Sequence, residues 1–303
     1  MNNGLIYYYN LKVKEVYPKN NDYLIFTNDD DEFILKRFNK ELININEVIQ
    51  LVKSYNIERS NYYSLVNNKF NNVISQIDEK DYVLLKAKGL LGDYIDVKAI
   101  YNNLYISRGI EQKYSNNWSL LWQNRVDYIE YQVGQLGKNK KEVINSFGFF
   151  SGLAENAISF ISINKIDFKK CKVSLCHRRI NYPNMAINYY NILNIKADYE
   201  VRDMAEYIKS KIMIDENIDN DINYIINKCD YNVDDLKLFM ARLMFPSQYF
   251  DLIEEVIVSD TTESLVEKYV EKIDSYLHML SDVYLEISKK NTLIIPEWLK
   301  TQN

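Results

Sequence analysis

Residues 173–184, VSLCHRRINYPN, place a histidine, two arginines and an asparagine directly after a short apolar run. The spacing of His177 and Asn184 is typical of a phosphoryl-transfer loop, in which a carboxylate between them accepts the proton of the attacking hydroxyl group. Arg179 stands where that carboxylate is expected. A guanidinium group stays protonated in proteins, so it cannot act as a general base.

A lysine and a glutamate further upstream are the candidate phosphate-binding pair. Lys36 lies in the strand-like segment EFILKRF, and Glu47 lies on the helix that is predicted to follow it. Nucleotide-dependent phosphotransfer folds hold phosphates with such a lysine and orient it with a glutamate of the next helix. A surface lysine on a strand edge gives the same pattern, so both interpretations of Lys36 stay open.

The carboxylate that would hold magnesium is also missing at its expected place. The segment NILNIKADYEVRDMAEYIKS is typical of a strand, a turn and a helix, and counting through it puts the metal position near Asn191. An amide brings no negative charge and is a poorer magnesium ligand than a carboxylate. Asp198 is the nearest acid, and an enzyme with a rearranged site would use it or another acid to contact the ion.

The positions of the glycines give independent evidence on whether the chain can bind phosphate, because a backbone that approaches a phosphate closely usually needs glycine. The chain has only 8 glycines, with none between residues 5 and 88 and none after 152. No glycine-rich loop can therefore cover phosphates from the first hairpin. The glycine-rich phosphate loop, the general base and the magnesium-binding carboxylate are therefore all absent. The sequence predicts a degenerate phosphotransfer site with no cofactor.

The first ninety residues are predicted to form a small sheet with one helix. Apolar residues alternate mostly with a period of two in residues 5–38, where the acidic segment Asn28–Glu32 predicts a hairpin turn. Residues 41–55 change to helical spacing. Three further strands are expected at 62–66, 70–77 and 82–86.

The segment KAKGLLG, residues 86–92, is the predicted hinge between a β-rich lobe at 1–88 and a helical lobe at 89–303. A strand pair is expected at 172–176 and 185–193 in the second lobe. Helices are expected at 118–136, 141–163, 201–214, 217–228, 232–245, 247–257 and 261–289. The predicted class is α+β, a two-lobed protein-kinase-like fold with a small β-rich N-terminal lobe and a larger, mainly α-helical C-terminal lobe.

Two of these helices carry residues suited to packing. Trp118 and Trp122 lie four residues apart on one helix face, which predicts core packing and not a ligand site. The helix 141–163 has small residues that would allow close helix packing: Gly148, Gly152, Ala154 and Ala157.

Composition excludes several classes of function. The net charge of −5 argues against nucleic-acid binding, which usually requires a basic face. Cys171, Cys176 and Cys229 cannot all pair and are typical of buried, reduced thiols in a cytosolic protein. No apolar run approaches the length of a membrane span, and the N-terminus lacks the pattern of a signal peptide. We therefore expect a cytoplasmic protein without a membrane partner.

Five phrases of the chain resemble the spore coat-associated kinase-like proteins of endospore-forming Firmicutes, the CotS and YutH group: WQNRVDYIEYQ, GLAENAISFI, LCHRRINY, ADYEVRDMAEYIKSK and ARLMFPSQYFD. The resemblance implies the aminoglycoside phosphotransferase and choline kinase superfamily, a location in the spore coat and coat proteins as partners. The loop of that superfamily resembles H-G-D-x-x-x-x-N, so Arg178 and Arg179 replace its glycine and aspartate. Asp203 matches the aspartate that braces this loop from the next helix.

The histidine segment allows several interpretations. In kinase-like folds the loop histidine packs internally, so we expect His177 to be structural. Arg178 and Arg179 could bind an anion such as phosphate or carboxylate, or could pair with acids of neighbouring helices, Asp203 among them. We expect a catalytically inactive kinase-like protein that acts by binding a protein or a small ligand. The alternatives are an atypical small-molecule phosphotransferase that uses ATP and Mg²⁺, and a purely structural scaffold.

Overall fold

The computed structural model describes residues 1–19, 22–39, 43–55, 62–87, 95–110, 117–182, 185–259 and 262–300. The chain divides into two compact units. The first contains Met1–Ile95, His177–Arg179 and Asn184–Lys196, and the second contains Asp96–Cys176, Ile180–Pro183 and Ala197–Asn303. The first unit thus takes in a segment from the middle of the chain. Most of the predicted hinge at 86–92 lies outside the described residues.

A six-stranded antiparallel sheet is the main element of the first unit. Its strands are β1 (Val13–Lys19), β2 (Asp22–Thr27), β3 (Glu32–Arg37), β4 (Ser64–Val66), β5 (Ile74–Ile77) and β6 (Lys80–Lys86). They are ordered β1-β2-β3-β6-β4, and β5 pairs with β6. The predicted turn between β2 and β3 is confirmed: the Thr27 N–H donates to the carbonyl oxygen of Asp31 at 3.1 Å. Asp30 has a φ of 59°, which aspartate tolerates better than most residues.

The N-terminal segment forms a helix, α1 (Asn2–Tyr9), so the prediction of strands throughout residues 5–38 is wrong at its start. The first ninety residues consequently contain two helices, not one, among those that the structure describes. Leu5 of α1 is fully buried in the apolar cluster on the sheet. Gly4 lies so close to β5 that a methyl group added to it would be 2.7 Å from Cγ2 of Ile77. Burial of one helical face therefore outweighed the alternating pattern.

The second helix of the first unit, α2 (Ile45–Ser54), is shorter than the predicted helix at 41–55. The side chain of Asn44 accepts hydrogen bonds from the backbone N–H groups two and three residues further on, which caps the helix. Val48 and Val52 form its buried face. Capping by Asn44 and this apolar stripe explain why the helix begins where it does.

The second unit is mainly helical. The helices of the rest of the chain are α3 (Val97–Ile106), α4 (Trp118–Leu136), α5 (Lys141–Ile163), α6 (Met185–Tyr190), α7 (Val201–Ile212), α8 (Asp219–Asn227), α9 (Val233–Met244), α10 (Ser247–Ser259), α11 (Ser264–Glu271), α12 (Ile273–Ser288) and α13 (Glu297–Lys300). Of these, α6 belongs to the first unit. The predicted helices 118–136 and 141–163 are confirmed at both ends. The predicted helix 261–289 is two helices that meet at Lys272.

Two short strands, β7 (Val173–His177) and β8 (Ile195–Tyr199), form a separate sheet. The second strand was expected at 185–193, where the structure instead has α6 and a 3₁₀ turn at Ile192–Asn194. The reason is spacing: the buried residues of α6, Ala186 and Tyr189, lie three positions apart, as on one face of a helix.

Of the residues that were predicted to pack on α4 and α5, the tryptophans and alanines are buried, whereas two glycines have no close neighbour. Trp118 and Trp122 are buried, with ring centroids 5.3 Å apart, so the prediction that they pack in the core is confirmed. Ala154 is fully buried on α5. Gly148 and Gly152 do not provide close packing, since a methyl group added to either meets no atom within 4 Å.

All three cysteines are buried and free, as expected. Within the described part of the chain, none of the helices has the combination of length and apolar character that crossing a membrane requires.

Candidate functional site

His177 is the last residue of β7 and is 2% exposed. Its Nε2 lies 2.9 Å from the hydroxyl oxygen of Tyr62, and the two rings are nearly parallel, at 6°. The centroid of the Tyr189 ring lies 4.3 Å from the imidazole centroid. A buried imidazole held by two aromatic rings and a hydroxyl group has the environment of a packing residue.

The two arginines that follow His177 differ in exposure. The Arg178 N–H donates to the carbonyl oxygen of Asn194 at 2.6 Å, and its side chain is half-buried. Arg179 is exposed, and its Nη1 donates to the carbonyl oxygen of Arg178 at 2.8 Å. The position expected for a general base therefore presents a guanidinium group to solvent.

Asn191, the predicted metal position, is a buried helix cap. Its side-chain oxygen accepts a hydrogen bond from the Leu193 N–H at 3.0 Å, at the start of the 3₁₀ turn Ile192–Asn194. An amide oxygen used in this way is directed at its own backbone. Asn184, the loop asparagine, lies outside the described residues.

Lys36 does not pair with Glu47. Its Nζ lies 3.0 Å from Oδ2 of Asp22, the residue opposite it in the register of β2 and β3. Lys36 also faces Val83 of β6, so β3 is an interior strand and the interpretation of Lys36 as an edge-strand lysine is wrong. Glu47 is exposed on α2. The cross-strand register, and not the following helix, supplies the partner of this lysine.

Asp198 belongs to the second unit and is fully buried. Trp118 Nε1 donates to its Oδ1 at 3.1 Å, and the Tyr199 N–H donates to the same oxygen at 2.9 Å. Arg202 Nη1 lies 3.2 Å from Oδ2. Both carboxylate oxygens therefore already accept hydrogen bonds from the protein.

The residues that follow the two arginines are tied to helices of the second unit. Ser210 of α7 donates to the carbonyl oxygen of Ile180 at 2.7 Å. Lys268 of α11 donates to the hydroxyl oxygen of Tyr182 at 2.7 Å, with its Nζ 4.3 Å from the centroid of that ring. These contacts fix the backbone and one side chain of the segment between the arginines and Pro183.

Helix α7 is buried along its whole length although it carries several charges. Oε1 of Glu206 accepts from Lys209 Nζ at 2.7 Å, from Arg242 Nε at 2.8 Å and from Ser247 Oγ at 2.7 Å, and Oε2 accepts from Gln248 Nε2 at 3.1 Å. A buried carboxylate is tolerated only when it is paired and hydrogen-bonded in this way.

The electrostatics of this cluster follow from burial and from the neighbouring charges. Burial alone would raise the pKa of Glu206, but the cations Lys209, Arg242 and Arg202 outweigh it and hold the pKa well below its usual value. Burial lowers the pKa of Lys209 to about 8, although Glu206 favours its charged form. The cluster thus contains a lysine whose charged form is disfavoured by burial.

Glu200 is a second buried carboxylate, at the start of α7. Arg108 donates to it in a bidentate manner, at 2.7 Å from Nε and 2.9 Å from Nη2, and Ser174 donates to it at 2.7 Å. Asp203 is also fully buried, in the second unit. No group of three His, Cys, Asp or Glu side chains suited to a metal ion occurs within the part of the chain that the structure describes.

Sequence reasoning missed Tyr62, which contacts His177, and the Glu206–Lys209 pair. Tyr62 carries no signal, because it is one of 26 tyrosines. Glu206 and Lys209 did carry one: opposite charges three positions apart on one helix are close enough to form an ion pair.

Comparison with solved structures identifies the fold. The aminoglycoside phosphotransferase of Alicyclobacillus acidocaldarius shares 9% identity with this chain, at a TM-score of 0.60 over 93% of this chain and 94% of that one. Spectinomycin phosphotransferase shares 12% identity, at a TM-score of 0.56 over 93% and 96% of the two chains. At these identities the likeness shows the fold alone, which is the kinase-like fold of aminoglycoside phosphotransferases. The predicted fold class is confirmed.

The family described as spore coat putative kinase YutH matches residues 2–284, and the chain belongs to this family. The endospore coat-associated protein YutH of Bacillus subtilis (strain 168) is 26% identical over 179 residues, which are 53% of this chain. The chain spans about half, 52%, of that relative's length. A match of 26% identity to dynein heavy chain-like protein 2 of Plasmodium falciparum covers 5% of that protein and supports no assignment. The resemblance read from the sequence is confirmed.

Proposed function

We propose that this protein is a catalytically inactive kinase-like component of the spore coat that acts by binding other coat proteins. The observation that carries the proposal is the exposed guanidinium group of Arg179 at the position where proton removal would require a carboxylate. The location and the partners rest on the family and on the name of the Bacillus subtilis relative.

The arrangement of the other candidate residues supports this proposal. As they stand, they do not fit ATP with magnesium. Lys36 is paired with Asp22, the side-chain oxygen of Asn191 caps a backbone turn, and both oxygens of Asp198 accept hydrogen bonds from protein donors. Each of these contacts would have to break before a phosphate or a divalent ion could replace it.

Thermal unfolding with and without Mg-ATP tests the proposal. A ligand that binds the folded state at about 100 times its Kd stabilises it by about 2.7 kcal/mol, which raises Tm by several degrees. We expect Mg-ATP at millimolar concentration to leave Tm within about 1 °C of the nucleotide-free value. Pull-down from a spore coat extract with the intact protein is expected to retain specific coat proteins.

The alternative of an active small-molecule phosphotransferase gives a different result. It predicts a saturable rise in Tm with Mg-ATP that is lost in Lys36→Ala. Lys86→Ala is the matched control, because Lys86 also pairs with an aspartate of the first unit, Asp31, at 2.6 Å. A rise in Tm that survives in Lys86→Ala but disappears in Lys36→Ala would overturn the proposal.

A further inference from the structure

Helix α4 of the second unit presents an uncharged stripe of side chains to solvent. Six exposed residues form it: Leu120, Leu121, Asn124, Tyr128, Tyr131 and Gln135. Apart from Leu121, they follow one another at intervals of three or four residues, which keeps them on one side of a helix. Because a helix rises by about 1.5 Å per residue, the stripe is about 22 Å long. We refer to this surface as the α4 stripe.

The α4 stripe faces away from the core. The buried residues of α4 are Trp118, Trp122, Val126 and Ile129. The two leucines and two tyrosines of the stripe are instead between 43% and 64% exposed. Single exposed apolar side chains are ordinary on protein surfaces, but a continuous row of them marks a site where another molecule packs. The α4 stripe is therefore a candidate docking surface.

Acidic residues border the stripe on one side. Asp127 and Glu130 are exposed residues of α4. Asp127 lies four positions before Tyr131, so the two side chains are neighbours on the helix surface. Arg125 is the only basic residue in the sequence of α4, and it is half-buried. This border of the stripe is therefore negative.

The other border, towards α10, is also negative. Arg125 Nη2 lies 2.6 Å from Oε2 of Glu254 and 3.1 Å from Oδ1 of Asp251, so one cation faces two carboxylates. The guanidinium carbon of Arg125 lies 5.8 Å from the centroid of the Tyr128 ring. The charge of Glu254 raises the pKa of the Tyr128 phenol, which also places this carboxylate beside the stripe. The three charged groups together carry a net negative charge.

These charges decide what can occupy the stripe. A second copy packed on its own stripe would bring acidic borders against acidic borders, which is unfavourable. An anionic lipid surface is repelled for the same reason. An extended segment would bury backbone N–H and C=O groups against side chains that offer few hydrogen bonds, whereas a helix satisfies its own backbone groups. Charge and shape therefore both favour a basic helix.

We propose that the α4 stripe binds an amphipathic helix of a partner protein. The apolar face of that helix packs on the leucines and tyrosines of the stripe, and its lysine or arginine side chains lie against the two acidic borders. The apolar contact supplies buried area, and the paired charges fix the orientation of the helix. The inference rests on the proposed function, because it assigns a surface to the binding of coat proteins.

Fluorescence anisotropy with the intact protein tests the inference at about 0.15 M salt, where distant charges are screened. The probes are two labelled helical peptides of about 16 residues, which matches the length of the stripe. Both carry leucine on one face, which is bordered by lysine in the first peptide and by glutamate in the second. We expect the lysine peptide to bind saturably and the glutamate peptide to bind about tenfold more weakly.

Two variants separate the apolar contact from the charges. Tyr131→Ala should weaken binding of the lysine peptide about tenfold, because it removes a central ring of the stripe. Asp127→Lys combined with Glu130→Lys should abolish the preference for the lysine peptide, because it reverses the charge of one border.

Matched controls change the same residue types elsewhere. Tyr17→Ala removes an exposed tyrosine of the first unit. Glu271→Lys combined with Asp282→Lys reverses exposed acids of α11 and α12. Both controls should bind the two peptides as the unchanged protein does, and the Tm of each variant should show that it is folded.

The inference is overturned if the lysine peptide does not bind saturably, if both peptides bind the unchanged protein equally, or if folded Tyr131→Ala binds with undiminished affinity. It is also overturned if the protein sediments as a dimer that Tyr131→Ala dissociates, because the occupant is then a second copy. Any of these results with a Tm that Mg-ATP leaves unchanged removes the docking surface and leaves the proposed inactivity standing. A rise in Tm with Mg-ATP in a protein that binds the lysine peptide would do the opposite.

Discussion

Arg179 is exposed and donates to the carbonyl oxygen of Arg178, while Asn191 caps a turn and His177 is packed against two tyrosine rings. At the scale of single residues, a local structural contact thus accounts for each of these positions. Restoring one chemical group would therefore leave the others in their structural roles. This non-additivity is general for groups that act as a unit in catalysis.

Arg179→Asp is the direct test at this position. We expect the variant to transfer no phosphate from Mg-ATP to a panel of hydroxyl compounds, because the phosphate-binding loop and the metal carboxylate remain absent. Transfer is measured with radiolabelled ATP. Arg37→Asp, which changes the charge of another exposed arginine, is the control, and phosphate transfer by Arg179→Asp alone would count against an inactive site.

Glu206 is the residue whose replacement should cost most stability. In Glu206→Gln the buried cations Lys209 and Arg242 lose their counter-charge, and breaking a buried ion pair in this way costs about 3–5 kcal/mol. Urea unfolding measures the loss in the free energy of unfolding. Glu297→Gln is the control, since Glu297 is 91% exposed and pairs only with its helix neighbour Lys300 among the described residues. Equal stability of the two variants would contradict the role given to the cluster.

At the scale of elements, the consequence of a helix glycine depends on whether its own side of the helix touches a neighbouring element. Gly4 of α1 lies against Ile77, whereas Gly152 of α5 has free space where a methyl group would go. Close approach needs glycine, but a glycine with free space beside it inside a helix only weakens the helix. The same residue type therefore has opposite consequences in α1 and α5.

Two alanine substitutions test this difference. Gly152→Ala should raise the free energy of unfolding by about 0.5–1 kcal/mol, because alanine favours the helix and meets no atom. Gly4→Ala should lower it by about 1–2 kcal/mol, since overpacking against Ile77 exceeds the gain in helix propensity. Urea unfolding of both variants measures the signs. Stabilisation by both substitutions would show that α1 does not pack closely on β5.

At the scale of the whole molecule, Lys209 couples stability to pH. Its pKa is about 8 in the folded protein and is lowered from an ordinary value of 10.5. Between these values the unfolded chain binds more protons than the folded one, so the contribution of Lys209 to the free energy of unfolding rises with pH. The buried cysteines, whose pKa values are raised by burial, act in the opposite direction as pH increases.

The contribution of Lys209 is therefore measured against a variant that lacks it but keeps the cysteines. The free energy of unfolding of the unchanged protein minus that of Lys209→Met should increase from pH 7.5 to pH 9.5, about the range before tyrosines ionise in an unfolded chain. Urea unfolding at these two pH values measures it. A difference that stays constant or falls with pH would show that the buried lysine is not the titrating group.

Secondary structure was predicted correctly where the hydrophobic pattern is regular over a long segment. It was predicted wrongly, and partners were missed, where contacts between residues distant in the chain determine the structure. Helices α4 and α5 have clear helical periodicity and were predicted at both ends. The segment 185–193 is short and ambiguous in pattern, and it forms α6 instead of a strand. The partner of Lys36 was missed because it depends on the register between β2 and β3, which spacing along the chain does not specify.

The sequence by itself determined which chemical groups the protein lacks. The absence of glycine from residues 5–88 and the guanidinium group at position 179 are properties of the chain in any conformation. The family phrases likewise indicated the kinase-like class. Only the tertiary structure decided how several of the remaining charges are used: Lys36 pairs with Asp22, Glu206 with Arg242, and Lys272 with Asp215. The physical reason is that such pairs form only when folding brings together groups that are far apart in the chain.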